Sequence, residues 1–233
     1  MGKNLIQQRR GKGSVSYRRH TLYAPGMARL ENRGGATILE LIHSRFHTAP
    51  LARVTYEDGA PGLIIVPEGV RVGQRVLISS DAPLETGNTL PLKSLPEGSL
   101  IYNIEAQPGD GGTFVRASGG VGRIVGKTGE GVVVQLPSKK RRLFNPECKA
   151  TLGIVAGGGR PEKPFLKAGI KFHRVKARHK YWPIVSGAAM NAVDHPFGGK
   201  RTSRKGRPTI APKNAPPGRK VGMIRPRHTG RNK

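Results

Sequence analysis

Hydrophobic and polar residues alternate along the middle of this chain, over short segments that glycine and proline separate. In residues 51–56 (LARVTY), Ala, Val and Tyr side chains alternate with Arg and Thr. Because successive side chains of a strand point to opposite faces, this pattern predicts short strands with one buried face. Segments with strand character are 36–43, 51–56, 63–66, 75–79, 100–104, 113–116, 121–125, 132–136, 141–144 and 151–155.

Helical patterns are scarce. One short helix is predicted over residues 162–177, where Gly169 weakens the pattern. Many short strands without a long helix favour small closed barrels, which leave no exposed strand edges. The prolines and glycines of residues 93–98 predict the boundary between two barrels. The expected fold is therefore mainly β, with two small β-barrels.

The two ends of the chain differ from this centre in charge. Residues 1–35 hold 8 Lys and Arg against one acid, residues 36–175 hold 18 against 12, and residues 176–233 hold 15 against one. Ends so poor in apolar residues cannot bury a core, so we expect them to be extended and ordered by a partner. The predicted segments are a basic N-terminal arm (1–35), a first barrel (36–97), a second barrel (98–177) and an extended basic loop and tail (178–233).

The composition as a whole indicates a polyanionic partner. The 233 residues carry a formal charge of +27 and a sequence pI of about 11.3, which is typical of nucleic-acid-binding proteins. The single cysteine, Cys148, cannot form an internal disulfide, in keeping with a reducing compartment. No apolar run approaches the roughly 20 residues needed to span a bilayer, and no secretory signal is recognised. No membrane partner is expected.

Aromatic rings alternate with cations at residues 17–20, 172–174 and 179–182. Arg and Lys bind phosphates while rings stack on unpaired bases, so the alternation predicts RNA binding. Phe172 and Trp182 are equally compatible with a place in the protein core. The residues predicted to contact RNA are Arg9, Arg10, Lys12, Arg18, Arg19, His20, Arg174, Lys176, Arg178, Lys180, Trp182, Asn191, Asp194, His195, Lys200, Arg201, Arg204, Lys205, Arg207, Arg219, Lys220, Arg225 and Arg227.

Residues 186–200 (SGAAMNAVDHPFGGK) are rich in glycine and other small residues and include Asp194, His195 and Pro196 in succession. Small side chains at the start allow the backbone to approach another surface, and the glycine pair at the end permits a tight turn. Pro196 favours an extended backbone at His195. The segment therefore predicts a rigid recognition loop.

Three other patterns in the sequence are those of catalytic or ligand-binding sites. Asp194 and His195 have the residue types of an acid–base dyad, but the side chains of neighbouring residues in an extended chain point to opposite sides. The sequence GKT at 126–128 is also found in phosphate-binding loops. Such a loop requires glycine at the position of Val121, and a helix should follow it, whereas the residues after 128 have the pattern of a hairpin. An RNA-acting enzyme that uses Asp194 and His195 stays as an alternative.

The third pattern is a metal site built from Cys148, His173 and His179, whose spacing does not suit zinc. No cofactor is therefore predicted. Magnesium associated with RNA, near Asp194, stays compatible with the sequence.

Four motifs, in order, resemble the ribosomal protein L2 family of the large subunit, and the resemblance extends over nearly the whole chain. They are GNTLPL (87–92), GIVAGGGRPEKPFLKAG (153–169), SGAAMNAVDHPFGGK (186–200) and APPGRKVGMI (215–224). Phe197 stands where bacterial members carry a second histidine, and HPFGG is similar to the archaeal and eukaryotic branch. The departure excludes any proposal that needs two histidines in this loop.

This resemblance implies an OB-fold followed by an SH3-like barrel, with a basic arm and tail. It implies a structural, non-enzymatic constituent of the large subunit in the cytoplasmic ribosome, bound to large-subunit ribosomal RNA. It also implies support for subunit assembly, for subunit association and for the architecture of the peptidyl-transfer region. The expected partners are this RNA, neighbouring ribosomal proteins and the small subunit across the interface, with no small-molecule substrate. A basic nucleic-acid packaging protein is a further alternative, although it would need no loop as particular as residues 192–199.

Overall fold

The structure, a computed structural model, describes residues 5–14, 17, 25–199 and 210–224. The chain divides into two compact units, a larger one of residues 20–167 and a smaller one of residues 1–19 and 168–233. The helices are α1 (Ile6–Gly11) and α2 (Ala168–Ala177), with 3-10 turns at Leu92–Ser94 and Gly187–Ala189. The strands are β1 (Gly34–Ile42), β2 (Leu51–Tyr56), β3 (Pro61–Ile65), β4 (Arg75–Ile78), β5 (Thr89–Pro91), β6 (Leu100–Tyr102), β7 (Gly122–Thr128), β8 (Gly131–Gln135), β9 (Arg141–Phe144), β10 (Lys149–Leu152), β11 (Ile210–Ala211) and β12 (Met223–Ile224).

The larger unit is built on one ten-stranded sheet in the order β3-β2-β1-β4-β5-β10-β6-β7-β8-β9. Strands β1 to β4 share one hydrophobic core cluster. Strands β5 to β10 share a second. Two cores in a mainly β unit confirm the predicted fold class.

The alternating pattern of β2 is the clearest link from sequence to packing. Ala52, Val54 and Tyr56 are buried on one face, whereas Arg53 on the other face is exposed to solvent and pairs with Glu40. Leu51 shares the face of Arg53 but is buried in a separate hydrophobic cluster at the start of the strand. Burying a side chain as large as that of Val54 contributes about 1.5–3 kcal/mol. The period-two pattern therefore specifies both the strand and its buried face.

The two cores are joined by buried contacts rather than by a loose linker. The Tyr102 hydroxyl donates a 3.1 Å hydrogen bond to the Ile65 carbonyl, across a third cluster that includes Ala28 and Val155. Strand β10 pairs with both β5 and β6, on either side of residues 93–98. The domain boundary at 97/98 stays a prediction.

Within residues 36–177, three elements differ from the expected ones. Residues 113–116 form only an isolated bridge at Phe114, because Val115 has a φ of 55°, which no extended strand accommodates. Strand β5 is not among the predicted strands, because it has only three residues and ends at Pro91, and proline disfavours strand pairing. Helix α2 begins at Ala168, since a residue that precedes a proline, such as Lys163, avoids helical backbone.

The predicted arm and tail contain some regular structure. Helix α1 lies in the arm, and the Gln8 side chain accepts a hydrogen bond from the Leu5 backbone N–H at its start. Strands β11 and β12 form a short parallel pair in the tail. Within the described ranges, no helix has the length and apolar character needed to cross a membrane.

Candidate RNA interface

The smaller unit combines high positive charge with almost no core. Its sequence holds 23 Lys and Arg residues against one acid, Asp194. Among its described residues, Ala211 is the one buried hydrophobic side chain. A folded segment of this kind has little apolar burial to offset its ordering entropy.

The larger unit has a different charge arrangement. Its sequence holds 18 basic residues against 13 acids. Arg33 pairs with Asp58 at 2.5 Å, and Arg75 pairs with Glu57. The surplus charge of the protein therefore belongs mainly to the smaller unit.

Helix α2 presents rings and cations together. Phe172 is 38% exposed, so it is not a core residue, and Lys176 Nζ lies 5.7 Å from its ring centre. Lys171 Nζ lies 5.3 Å from the ring centre of the half-buried Trp182. A ring beside a cation can stack on a base while the cation binds a phosphate. The structure thus answers the open question about Phe172 in favour of exposure.

A cleft of about 500 Å³ lies in the smaller unit and brings two of the predicted ring-and-cation segments together. Arg10 and Tyr17 line one part of it, and Lys180 and Tyr181 line another. The sequence indicated each segment separately, but their meeting depends on the tertiary fold. Two phenol rings and two cations suit an unpaired, anionic nucleotide.

Arg178, just after α2, has buried donors without an acceptor. Its Nε and Nη2 atoms find no hydrogen-bond partner among the described residues. Burial lowers the pKa of this guanidinium, and the neighbouring charge of Arg174 lowers it further. An unsatisfied buried polar group costs about 1–3 kcal/mol, so an anionic oxygen at this position would be stabilising.

The predicted recognition loop is folded onto itself around His195. The Phe197 N–H donates a 3.1 Å hydrogen bond to His195 Nδ1, and the two rings lie 5.1 Å apart. A Cβ atom added to Gly187 would overlap the imidazole ring, so the ring packs directly on the glycine backbone. Sequence reasoning missed this role of Gly187, although its run of small residues was the available signal.

Backbone hydrogen bonds close the same loop. The Gly199 N–H donates to the Met190 carbonyl at 3.1 Å, and the Gly198 N–H donates to the His195 carbonyl at 2.9 Å. Gly199 has a φ of 93°, which only glycine adopts readily. The loop is therefore pre-shaped, as a rigid recognition element requires.

The geometry of His195 does not suit a catalytic dyad. Because Nδ1 accepts the Phe197 N–H, it carries no proton to donate to a carboxylate. A dyad of the Asp–His type requires that donation. Asp194 instead ends a turn that its own N–H closes, by donating a hydrogen bond to the Asn191 carbonyl at 3.0 Å.

The other two patterns have structural explanations. Residues 126–128 lie in β7 and continue into the β7–β8 hairpin, which confirms the hairpin prediction. Cys148 is fully buried in the second core, and burial raises the pKa of its thiol. Within the described part of the chain, no group of three or more His, Cys, Asp or Glu residues is placed to hold a metal ion.

The predicted RNA-contacting residues that the structure describes all belong to the smaller unit. Those on or beside the helices, in the loop and before β12 are Arg9, Arg10, Lys12, Arg174, Lys176, Arg178, Lys180, Trp182, Asn191, Asp194, His195, Arg219 and Lys220. The predictions that lie outside the described residues are Arg18, Arg19, His20, Lys200, Arg201, Arg204, Lys205, Arg207, Arg225 and Arg227.

The sequence of this chain is similar to those of one known protein family. Residues 85–218 match the family model described as Ribosomal Proteins L2, C-terminal domain. Curated proteins named large ribosomal subunit protein uL2 are similar over their whole length. That of Methanocella arvoryzae is 47% identical over 235 residues, which cover 99% of each chain. That of Methanocaldococcus jannaschii is 48% identical over 239 residues, again 99% of each. That of Methanothermobacter thermautotrophicus is 45% identical over 241 residues, the full length of both.

Proposed function

The chain belongs to the ribosomal protein L2 family, in its archaeal-type branch, and from this premise we propose that it is a structural constituent of the large ribosomal subunit. It works in the cytoplasmic ribosome, where it binds large-subunit ribosomal RNA and contacts neighbouring ribosomal proteins. It is not an enzyme.

One observation supports this proposal above the others: the smaller unit holds 23 basic residues, one acid and almost no core. Folded RNA supplies what such a unit lacks, namely a dense array of phosphates that neutralises the charge and surrounds the chain. The larger unit, with two cores, acts as the platform from which the basic segments enter the RNA.

The described geometry supports distinct roles within the interface. The exposed cations of α1 and α2 bind phosphates, and the unsatisfied N–H groups of Arg178 donate hydrogen bonds to a phosphate oxygen. The cleft lined by Tyr17 and Tyr181 receives an unpaired base. The rigid loop around His195 packs against an RNA surface by shape and hydrogen bonding.

Bound to the RNA of the large subunit, the protein supports assembly of that subunit, its association with the small subunit and the architecture of the peptidyl-transfer region. Magnesium ions that accompany the folded RNA neutralise the same phosphates. Catalysis belongs to the RNA in this proposal, and the hydrogen bond that the Phe197 N–H donates to His195 Nδ1 supports it, because that nitrogen is not available to an Asp–His dyad.

The test is sedimentation of the cellular protein through a sucrose gradient after a high-salt wash. We expect the protein to stay with large subunits at about one copy each, because an embedded chain is retained when loosely bound basic proteins dissociate. A peripheral protein that binds by charge alone is the control, and it should be washed off. Recovery of this protein in the free fraction, with intact subunits below, would overturn the proposal.

A further inference from the structure

A groove of about 320 Å³ in the larger unit has the opposite chemistry to the RNA interface. Leu84, Leu100 and Ile154 supply apolar lining, while Glu68 and Glu85 supply two carboxylates. Leu84 is 58% exposed and Leu100 is 39% exposed. The groove therefore combines exposed apolar side chains with two acids, on the surface of a protein whose formal charge is +27.

Backbone hydrogen bonds tie the segments around this groove together. The Glu68 N–H donates to the Ile154 carbonyl at 2.9 Å, and the Gly153 N–H donates to the Leu100 carbonyl at 2.9 Å. Gly153 has a φ of 115°, and a Cβ atom there would come within 2.8 Å of Thr86 Cγ2. The groove is therefore a fixed feature of the fold, which lowers the entropy cost of binding.

The local charge argues against RNA as the occupant. The residues that line the groove include two carboxylates, Glu68 and Glu85, and no lysine or arginine. Among the described residues, neither Glu68 nor Glu85 has an ion-pair partner. Phosphates would be repelled by these carboxylates, whereas lysine or arginine side chains would be attracted.

We propose that this groove binds an extended segment of a neighbouring protein, in which an aliphatic side chain is flanked by lysine or arginine. The aliphatic group covers Leu84 and Leu100, and the flanking cations pair with Glu68 and Glu85. A basic segment fits because charge complementarity sets both its register and its orientation. The groove thus gives this RNA-binding chain a separate protein-binding surface.

The first test uses the free full-length protein and a fluorescein-labelled hexapeptide of alternating lysine and leucine. The peptide is repelled by the protein as a whole, so its saturable binding reports an acidic, apolar site. The double variant Glu68→Gln, Glu85→Gln should weaken binding about three- to tenfold, the effect of two exposed ion pairs. Leu84→Ser should weaken it about fivefold to tenfold through lost apolar contact.

Matched controls lie elsewhere in the same unit. Glu130→Gln removes an exposed acid from the β7–β8 turn, and Leu39→Ser removes a leucine of β1 that is 52% exposed. Both control variants should bind the peptide as the wild-type chain does. Equal binding by the wild-type chain and the double glutamine variant would overturn the proposal.

The second test places photoreactive benzoyl-phenylalanine at position 84 and purifies large subunits that contain the variant. Mass spectrometry of the crosslinked peptide should identify a segment of another protein with lysine or arginine beside an aliphatic residue. A crosslink to RNA, a crosslink to this chain's own basic ends, or no crosslink would each overturn the proposal.

This second test rests on the proposed place of the chain in the large subunit, whereas the peptide test does not. A chain that fails to enter subunits although it binds the peptide would count against the proposed function alone. Normal incorporation without a crosslink to protein would count against the groove alone.

Discussion

At the scale of single residues, the shape of the recognition loop depends on a contact between Gly187 and His195, which are eight positions apart in the sequence. The imidazole of His195 packs on Gly187 so closely that no Cβ atom fits between them. The same ring accepts the Phe197 N–H, so it cannot rotate away without losing that bond. A methyl group at position 187 must therefore displace the ring and the hydrogen bond together.

We expect Gly187→Ala and His195→Ala each to reduce incorporation into large subunits, with a loss of about 1–3 kcal/mol in docking to the RNA. In the His195→Ala background, Gly187→Ala should cost little more, because the ring with which the methyl group collides is gone. Quantitative mass spectrometry of sedimented subunits from the two single variants and the double variant measures this coupling. Additive losses would show that Gly187 acts independently of His195.

The His195→Ala variant also distinguishes a structural role of this residue from a catalytic role. On purified subunits fully occupied by the His195→Ala chain, single-turnover peptidyl transfer to puromycin should proceed at nearly the normal rate. Removal of a general base would slow the chemical step about 100- to 10,000-fold. A slowing of that size, with the surrounding RNA unchanged by chemical probing, would contradict the scaffold interpretation.

A second residue, Asp110, makes the stability of the larger unit depend on pH. Burial disfavours its charged form, but the N–H groups of Gly112, Ala106 and Gln107 outweigh this and lower its pKa below the usual 3.8. Because the unfolded chain binds the proton more tightly, the contribution of Asp110 is present above pH 3.8 and lost as pH falls through the lower folded pKa.

Asp110→Asn should therefore flatten the acid branch of the stability curve, with a smaller loss on going from pH 5 to pH 2 than in the wild-type chain. Urea unfolding followed by circular dichroism at each pH measures the difference. Glu57 and Asp58 also have lowered pKa values, and both are present in both proteins, so they cancel in the comparison. Parallel curves for the two proteins would refute the assignment to Asp110.

At the scale of elements, helix α2 has no buried residue, so little packing stabilises it. In the free protein its stability then depends mainly on intrinsic helix propensity. Gly169 lies in its first turn with open space where a Cβ atom would stand. This position is one where alanine is favoured without any steric cost.

Gly169→Ala should stabilise α2 by about 0.5–1 kcal/mol and raise the helical signal of the free protein in far-ultraviolet circular dichroism. Gly159→Ala is the matched control, since it also has open space but a φ of 72°, where alanine is strained. The control should lower the free energy of unfolding and leave helicity unchanged. An unchanged signal for Gly169→Ala would mean that α2 is already fully formed without RNA.

At the scale of the whole molecule, charge and core are separated. The larger unit contains the three hydrophobic core clusters, and the smaller unit contains most of the surplus charge. The affinity for RNA should therefore fall steeply with salt, through counterion release from the smaller unit.

Replacement of Lys176, Lys180 and Lys220 by glutamine should reduce the slope of log affinity against log salt by about 2–3, at roughly 0.7–0.9 per phosphate contact. The control replaces three exposed cations of the larger unit, Lys139, Lys140 and Arg141, and should leave the slope nearly unchanged. Filter binding to large-subunit RNA from 50 to 500 mM salt measures both. Equal flattening by the two triple variants would show that the interface extends over both units.

Much of the larger unit was predictable because its signals are local. The alternation in LARVTY determines which side chains of β2 are buried, and the hairpin at 128–131 follows from its glycines. The separation of charge is equally plain from composition, so an RNA-binding role needed no coordinates. The ordered motifs along the chain indicated the family that the comparisons then confirmed.

Only the tertiary structure determined which distant residues meet. Val115 sits in a strand-like sequence but takes a positive φ, which local pattern does not signal. The contact of Gly187 with His195, the cleft shared by Tyr17 and Tyr181, and the groove of Leu84 and Leu100 each join separate segments. Sequence periodicity reports the face that a side chain presents within its own element, because it depends on neighbouring residues alone. The partner that covers that face is determined by the packing of the whole chain.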